Sequence, residues 1–353
     1  MQFKDIVGQQ DVINRLTEAV DNGRVSHAQM VLGATADGSL QLALAYLQYL
    51  CCEHRVHHEP AADGQGLRAD SCGECPQCKK MASLMHPDLH LFFPNASTPR
   101  VSSGSYWSGD FVSEFRDFVA DRHGLGTVDE WYAWLGVENK QGVIRELDAA
   151  HIVADLGLKS YEGGWKMTLI WMAEKMNTAA ANELLKTLEE PSPGTVLMLV
   201  AESDERMLAT IKSRVQTVRL LPSGADRWAA AREQYAPMLV EWLRMLFKLR
   251  MHELAAQVDK MASLGREQQK QLLGYTLETM RQCFLHSAAG LPVDLGSGDQ
   301  KFDAMFPQMV TANNIELINN ALGEALMAIE RNANAKIALM QLSFNMSKAL
   351  KKR

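Results

Sequence analysis

Short apolar runs alternate with longer helical patterns through the first 220 residues of the chain. The runs have the length and composition of buried strands, and they lie at residues 30–32, 89–93, 167–172, 196–200 and 215–221. The intervening patterns include amphipathic or Leu/Ala-rich helices at residues 11–20, 40–50 and 177–190. The last of these has Asn177 at its start and Pro191 just beyond its end, which are typical helix boundaries. Alternation of this kind predicts a mostly parallel sheet with helices on both faces.

The second part of the chain has a different pattern. After Pro222 the apolar spacing is helical from residue 229 to about 290, and again from 313 to 352. The segment 290–300 contains Gly, Pro and Ser and separates two of these helices. The sequence therefore predicts an all-α domain after the α/β domain.

One segment, residues 97–140, interrupts the alternation. It begins with a Ser-, Gly- and Pro-rich stretch and continues into two amphipathic patterns at 110–120 and 128–137. This pattern predicts a helical hairpin inserted at the edge of the sheet domain. Its aromatic residues, such as Phe115 and Trp131, could form a patch that binds a partner, but aromatic residues at helical spacing favour internal packing.

Composition and charge narrow the possible classes of protein. The 353 residues are 47% hydrophobic and 22% charged, which is typical of a globular chain of two or three domains. Lys and Arg number 36 against 42 Asp and Glu, and a net charge of -6 argues against a protein that coats DNA by itself. No run is long enough to span a bilayer and the N-terminus lacks a signal-peptide core, so we expect a cytoplasmic protein with no membrane partner.

A glycine-containing loop lies between the first strand and the helix that follows it. Gly33 and Gly38 have the placement of P-loop glycines, whose backbone N–H groups surround phosphates. The positions of the P-loop Lys and Ser/Thr are occupied by Ser39 and Leu40. Strand 167–172 ends in Trp171-Met172, where an ATPase would carry Asp-Glu. Because both halves of the ATP chemistry are missing, the sequence predicts a degenerate site without productive ATP binding.

Five of the six cysteines lie close together in the sequence. Cys72, Cys75 and Cys78 form a C-x-x-C-x-x-C motif that offers three thiolates to one tetrahedral Zn²⁺, and either Cys51 or Cys52 could supply the fourth. Four cysteines leave no open coordination position, so the predicted zinc site is structural. The nearby group of His54, His57 and His58 is expected to lie in a solvated loop.

The pair Ser213-Arg214 lies where a helix meets the last strand. Taken alone, an arginine at such a place is most often a surface residue in a salt bridge.

Several short motifs are spread along the chain: Val7-Gly8-Gln9, His27-Ala28, His86-Pro87-Asp88, the block from Ala181 to Pro191, Ser213-Arg214, and Arg331-Asn332-Ala333-Asn334. Together with the four-cysteine module they resemble the delta-prime family of bacterial DNA polymerase III clamp loaders, and the resemblance covers essentially the whole chain. The most specific features are the Leu-Leu-Lys-Thr-Leu-Glu-Glu-Pro block and the four-cysteine module.

The resemblance implies an AAA+ type P-loop α/β domain over residues 1–221, with an inserted zinc module at 51–80 and the helical insertion at 97–140. A helical collar, the oligomerisation domain, is implied for residues 236–353. The family usually places a three-helix lid between these domains, whereas only residues 222–235 are available here. We therefore expect either a lid reduced to one helix at 225–234 or a shortened linker, with the first collar helix beginning near Tyr235.

The resemblance also implies a function. The chain would be a non-catalytic subunit of the DNA polymerase III holoenzyme that helps load the sliding clamp onto primed DNA, within a pentameric ring with delta and gamma/tau subunits. Ser213, Arg214 and Val215 match the family's Ser-Arg-Cys motif, so Arg214 would act as an arginine finger in a neighbouring subunit's ATP site. The family alignment also favours Cys52 over Cys51 as the fourth zinc ligand.

Two alternatives remain open from the sequence. One is an active ATPase of the same family, which ATP turnover by the isolated chain would support. The other is a zinc-dependent DNA-binding module, which salt-dependent binding of the isolated chain to primed duplex would support.

Overall fold

The computed structural model describes residues 1–59, 66–101, 105–137, 140–221, 229–248, 251–293 and 295–352. The chain divides into two compact units, Met1–Ala225 and Asp226–Arg353. Among the described residues, no helix is both long enough and apolar enough to cross a bilayer.

The first unit contains a five-stranded parallel sheet and a small antiparallel ribbon. The sheet order is β4-β5-β6-β1-β7, and every pairing in it is parallel. The strands are β1 (Ala28–Leu32), β2 (Val56–His57), β3 (Ala69–Asp70), β4 (Leu89–Phe92), β5 (Lys166–Trp171), β6 (Thr195–Ala201) and β7 (Gln216–Arg219), with β2 and β3 forming the ribbon. The predicted parallel sheet is therefore confirmed.

The three central strands β1, β5 and β6 are buried along their whole length, and alternate residues of each strand point to opposite faces of the sheet. In β6, Val196, Met198 and Val200 belong to one apolar core, whereas Leu197 and Leu199 belong to the other. The first core is shared with helices α1 and α2, and the second with helices α6 and α7. The helices of this unit are α1 (Gln10–Asp21), α2 (Ser39–Cys51), α3 (Pro76–Ala82), α4 (Val112–Asp121), α5 (Val128–Trp134), α6 (Glu146–Gly157), α7 (Thr178–Glu189) and α8 (Ala209–Lys212).

The insertion forms two helices, α4 and α5, whose aromatic residues enter the first core. Phe115, Phe118 and Trp131 are completely buried. The ring of Trp171, at the end of β5, lies 5.4 Å from that of Phe115 and 6.0 Å from that of Phe118. The preference for internal packing over a partner-binding patch is thus confirmed for these residues.

The second unit is all-α, as predicted, and has its own apolar core. Its helices are α9 (Ala229–Lys248), α10 (Met251–Ala262), α11 (Arg266–Ala289), α12 (Gln300–Met305), α13 (Ile315–Glu330) and α14 (Ala335–Lys351).

The start of this unit differs from the expectation. The helix expected near Tyr235 begins at Ala229 and continues past Pro237 without a break. Tyr235 and Ala236 are buried in the core of the second unit. Residues 229–234 therefore belong to the first turns of that helix rather than to a separate lid helix, and 222–228 lie outside the described residues.

Candidate zinc centre, remnant nucleotide loop and exposed arginine

Four thiol groups converge in the module that follows α2. The Sγ atoms of Cys52, Cys72, Cys75 and Cys78 all lie within 4.8 Å of one another, and the Cys72–Cys78 separation is 3.9 Å. Four sulfurs around one Zn²⁺ at about 2.3 Å would be about 3.8 Å apart. The geometry therefore fits a tetrahedral ion with four protein ligands.

Backbone N–H groups stabilise the sulfurs of this cluster. The N–H of Cys75 donates to Sγ of Cys72 at 3.3 Å, that of Cys78 donates to Sγ of Cys75 at 3.4 Å, and that of Cys72 donates to Sγ of Cys52 at 3.3 Å. The N–H groups of Cys75 and Glu74 lower the pKa of Cys72 to about 6, whereas burial raises the pKa of Cys52 and Cys78. A divalent cation would offset the cost of burying these thiolates together.

The neighbouring Cys51 is held away from the cluster. Its thiol donates to the carbonyl oxygens of Leu47 and Gln48 in its own helix, at 3.3 and 3.5 Å. Burial raises the pKa of Cys51 to about 12. His54, His57 and His58 are exposed, and the metal-compatible group found among the described residues contains none of them.

The module is anchored to the N-terminus through Asp70, which is buried at the end of β3. Its carboxylate accepts the N–H groups of Phe3 and Lys4, both at 3.0 Å, and that of Ser71 at 2.7 Å. These bonds fix the strand that leads into Cys72. The position of the cysteines therefore depends on contacts some 70 residues away in the sequence.

The loop between β1 and α2 keeps the outline of a P-loop but is closed by a carboxylate. Oε1 of Glu202 accepts the backbone N–H of Thr35 at 3.0 Å and its hydroxyl at 2.8 Å. Ser39 and Leu40 are both completely buried. A Cβ at Gly33 would lie 2.8 Å from Cβ of Leu220, so this residue must be glycine for the loop to leave β1 at this close approach. An anionic side chain of the protein thus occupies loop donors of the kind that bind phosphate in a P-loop.

The carboxyl group of Glu174 lies next to Glu202. Oε1 of Glu174 accepts the N–H of Glu202 at 3.2 Å, while its Oε2 is buried with no hydrogen-bond partner among the described residues. Burial, reinforced by the charge of Glu202, raises the pKa of Glu174 to about 7. Trp171 and Met172 of the strand end are buried in the first core, so the place where an ATPase carries its acidic pair is apolar here.

Arg214 lies at the surface just before β7. Its guanidinium pairs with the carboxylate of Glu189, with Nε at 2.7 Å, and Nη1 donates to the carbonyl oxygen of Thr210 at 2.9 Å and to Oγ of Ser213 at 3.2 Å. The side chain of Arg214 is 33% exposed and that of Glu189 is 51% exposed. Such exposed pairs contribute about 0–1 kcal/mol, so the arginine could exchange Glu189 for another anion at small cost.

Sequence reasoning missed Glu174, Glu189 and Glu202. Glu189 lies within the Leu-Leu-Lys-Thr-Leu-Glu-Glu-Pro block, and Glu202 is the first residue after β6. A parallel sheet brings the carboxyl ends of β1, β5 and β6 to one edge, and this placement could have indicated Glu202 as a neighbour of the loop.

The fold and these sites define a class of protein: an α/β unit with a parallel sheet and a P-loop-like turn, followed by an all-α unit. Residues 8–223 match the family described as "DNA polymerase III, delta subunit". The chain therefore belongs to this family, whose clamp-loader members include the delta-prime subunits below.

Individual relatives agree with the family match. The chain is 31% identical to DNA polymerase III subunit delta' of Pseudomonas aeruginosa over 57% of its length and 45% of the relative. It is 28% identical to the Escherichia coli subunit delta' over 65% of its length and 49% of the relative. The chain thus spans about half the length of these curated relatives. A solved gamma subunit-related protein of Thermotoga maritima covers 98% of the chain and 99% of its own, at 16% identity and a TM-score of 0.34.

Proposed function

We propose that the chain is a non-catalytic clamp-loader subunit that helps place a sliding clamp on primed DNA, in a pentameric ring with delta and gamma/tau subunits. Arg214 acts as an arginine finger in the ATP site of a neighbouring subunit, with Ser213 positioning it. One contrast supports the proposal most: the loop that would bind ATP is closed by Glu202, while Arg214 stays accessible at the surface.

The finger role follows from the chemistry of guanidinium. Arg carries a permanent charge in a planar fork that suits a phosphoryl group, and it stabilises the charge that develops during transfer. Glu189 would hold Arg214 in place until the neighbour's γ-phosphate takes over the pairing. Ser213 contributes through the 3.2 Å contact of its hydroxyl with Nη1.

The charges around the loop support the proposal that it is degenerate. A nucleotide would have to displace Glu202 from Thr35, and its phosphates would meet Glu174 and Glu202 without the P-loop Lys. The repulsion between like charges at one site disfavours ATP binding there and supports the proposal of a degenerate loop. Purified chain should therefore show no ATP turnover, and turnover that persists through further purification would contradict the proposal.

The decisive experiment is reconstitution of the complex with delta and gamma/tau subunits, followed by steady-state ATPase and clamp-loading assays. Arg214→Ala should leave assembly intact and slow ATP hydrolysis. Arginine fingers are worth about 10³–10⁵ in rate at a single site, and the loss here should be smaller because other sites in the ring keep their own fingers. Arg214→Lys should rescue poorly, since a point charge cannot form the bidentate contact.

Arg122→Ala is the matched control. Arg122 is also an exposed arginine of the first unit, 45% exposed and paired with acidic side chains, but it lies in the insertion. Removal of the Arg122 side chain should change neither the rate of ATP hydrolysis nor the rate of clamp loading. Unchanged rates with Arg214→Ala in a fully assembled ring would mean that Arg214 has only a structural role.

The proposal includes a structural zinc ion in the cysteine module that follows α2, held by Cys52, Cys72, Cys75 and Cys78. The ion would fix the connection between α2 and α3, where β2 and β3 supply only two residue pairs. Because four thiolates complete its coordination, it would have no direct part in catalysis.

A further inference from the structure

A cavity of about 370 Å³ lies on the side of the sheet covered by α1, between that helix and the edge strand β7. It is separate from the remnant nucleotide loop: its floor is Gln29, the second residue of β1, whereas the loop follows the last residue of that strand. Cavities of a few hundred Å³ are the size that proteins use for small ligands. Neither the zinc centre nor Arg214 contributes to its lining.

The charge of this cavity is opposite to that of the chain. Arg15, Arg24 and Arg219 line it, and the lining includes no Asp or Glu among the described residues, although the chain carries a net charge of -6. Arg219 pairs with Asp204 at 3.1 Å, and among the described residues Arg15 donates to the carbonyl oxygen of Asp11 in its own helix, at 3.3 Å. A concave surface with several guanidinium groups attracts anions and pairs well with phosphate oxygens.

The interior of the cavity adds directed hydrogen-bonding groups. Nε2 of the buried Gln29 donates to the hydroxyl of Tyr46 at 2.7 Å and to the carbonyl oxygen of Ser26 at 3.1 Å. The Tyr46 hydroxyl accepts the first of these bonds, and it donates to no group among the described residues. Burial raises the pKa of Tyr46, which keeps that hydroxyl protonated near neutral pH.

Apolar side chains complete the wall. Leu16 and Ala19 of α1 and Val218 of β7 line the cavity. A ligand that suits these surfaces has an anionic end for the arginines, a less polar body for the aliphatic wall, and acceptors for Tyr46. A phosphate ester of mononucleotide size has all three.

We propose that this cavity between α1 and β7 binds a small phosphate ester, with Arg15, Arg24 and Arg219 holding the phosphate. The test is isothermal titration calorimetry of the full chain with AMP as the probe. AMP should bind measurably at millimolar concentrations or below, and Arg24→Gln should weaken the binding at least tenfold. No detectable binding of AMP at 5–10-fold higher concentrations, on the order of tens of millimolar, would overturn the proposal.

One further variant, with two controls, separates the volume of the cavity from its charge. Ala19→Trp fills the space without changing the charge and should abolish AMP binding. Glu18→Trp, at the adjacent exposed position of α1, and Arg122→Gln, in the insertion, are the matched controls and should bind AMP as the parent chain does. Circular dichroism would verify the fold of each variant. Because Arg24 is exposed, Arg24→Gln remains decisive if Ala19→Trp does not fold.

A second ligand tests whether the cavity binds a small phosphate ester or the backbone of a nucleic acid. A short single-stranded oligonucleotide without a terminal phosphate should bind more weakly than AMP and should be insensitive to Ala19→Trp. If the oligonucleotide binds more tightly and loses binding with Ala19→Trp, the cavity contacts a nucleic-acid backbone and the proposal is wrong. AMP binding that is unchanged in both Arg24→Gln and Ala19→Trp would place the ligand elsewhere and would also overturn it.

Discussion

At the scale of single residues, adjacent cysteines at the end of α2 have different surroundings. The backbone turns at Cys52, which is the C-cap of the helix, and its sulfur joins those of Cys72 and Cys78, whereas the thiol of Cys51 stays against its own helix. One peptide bond therefore separates a proposed ligand from a packing residue. The C-x-x-C-x-x-C spacing indicated three ligands, but the choice of the fourth depends on where the helix ends.

The two cysteines provide a matched pair of variants. Cys52→Ser should lower the zinc content of purified protein from one ion per chain to well below one, because three thiolates leave the coordination incomplete. Cys51→Ser should leave it at one. Zinc is measured by atomic absorption under reducing conditions, and the reverse pattern, or a parent chain free of metal, would contradict the assignment.

Glu174 gives a prediction on pH dependence. Its pKa is about 7 in the folded chain and 4.5 as the ordinary value, so the folded state binds the proton more tightly than the unfolded state does. Stability from this group is complete below about pH 4.5 and is lost as the pH rises towards 7. The loss amounts to at most about 3 kcal/mol and is reduced by solvent screening.

Glu174→Gln should therefore flatten the fall in stability between pH 5 and 7.5, because an amide can still accept the N–H of Glu202 but does not titrate. Urea denaturation at several pH values measures the effect. Glu183→Gln, at an exposed position of α7, is the control and should keep the slope of the parent chain. Parallel profiles for the Glu174→Gln variant and the parent would show that Glu174 titrates normally.

At the scale of elements, the start of α7 illustrates how sequence specifies local structure. Asn177 is the N-cap residue, and its Oδ1 accepts the N–H of Ala180 at 2.8 Å. Asn177→Ala should destabilise the first unit by about 1 kcal/mol, within a range of about 0.5–2 kcal/mol. Asn182→Ala, an exposed position within the same helix, should be neutral or slightly stabilising because Ala is the better helix former. Chemical denaturation compares the two, and equal effects would argue against the cap.

The elements that the sequence predicted well are those with a strong local signal. Strands β1, β4, β5 and β6 lie in predominantly apolar runs, and Asn177 and Pro191 mark a helix by chemistry that acts within a few residues. The start of α9 differs from the expectation near Tyr235 because that expectation followed the family's lid, whereas the helical pattern that begins at residue 229 forms the single helix α9. The contacts of Glu202 with Thr35 and of Glu189 with Arg214 join residues far apart in sequence, so no local pattern could show them.

At the scale of the whole molecule, the insertion and the end of β5 are parts of one core. Trp171 stands where an ATPase would end its strand with an acid, and it packs against Phe115 and Phe118 of the insertion. An acidic residue buried among these rings would be costly. An acidic residue at this strand end would therefore require repacking of the core that Trp171 shares with Phe115 and Phe118.

The two units have separate apolar cores, and this separation predicts how metal removal acts. The cysteine module belongs to the first unit, where it connects α2 to α3 and contacts the N-terminal segment through Asp70. Without zinc, the four thiols should no longer hold α2 and α3 together. The first unit should then lose stability, while the stability of the second unit should not change. For a unit of this size each kcal/mol lowers Tm by about 2–4 °C.

Differential scanning calorimetry of the full chain, with and without a zinc chelator under reducing conditions, tests this expectation. Chelation should lower the transition of the first unit by several degrees and leave that of the second unit unchanged. Hydrogen exchange would assign the transitions, since amides of α2 and β3 should lose protection and those of α13 and α14 should not. Added zinc should restore the parent profile, and Cys51→Ser protein should respond as the parent does. A common shift of both transitions would mean that the units unfold as one.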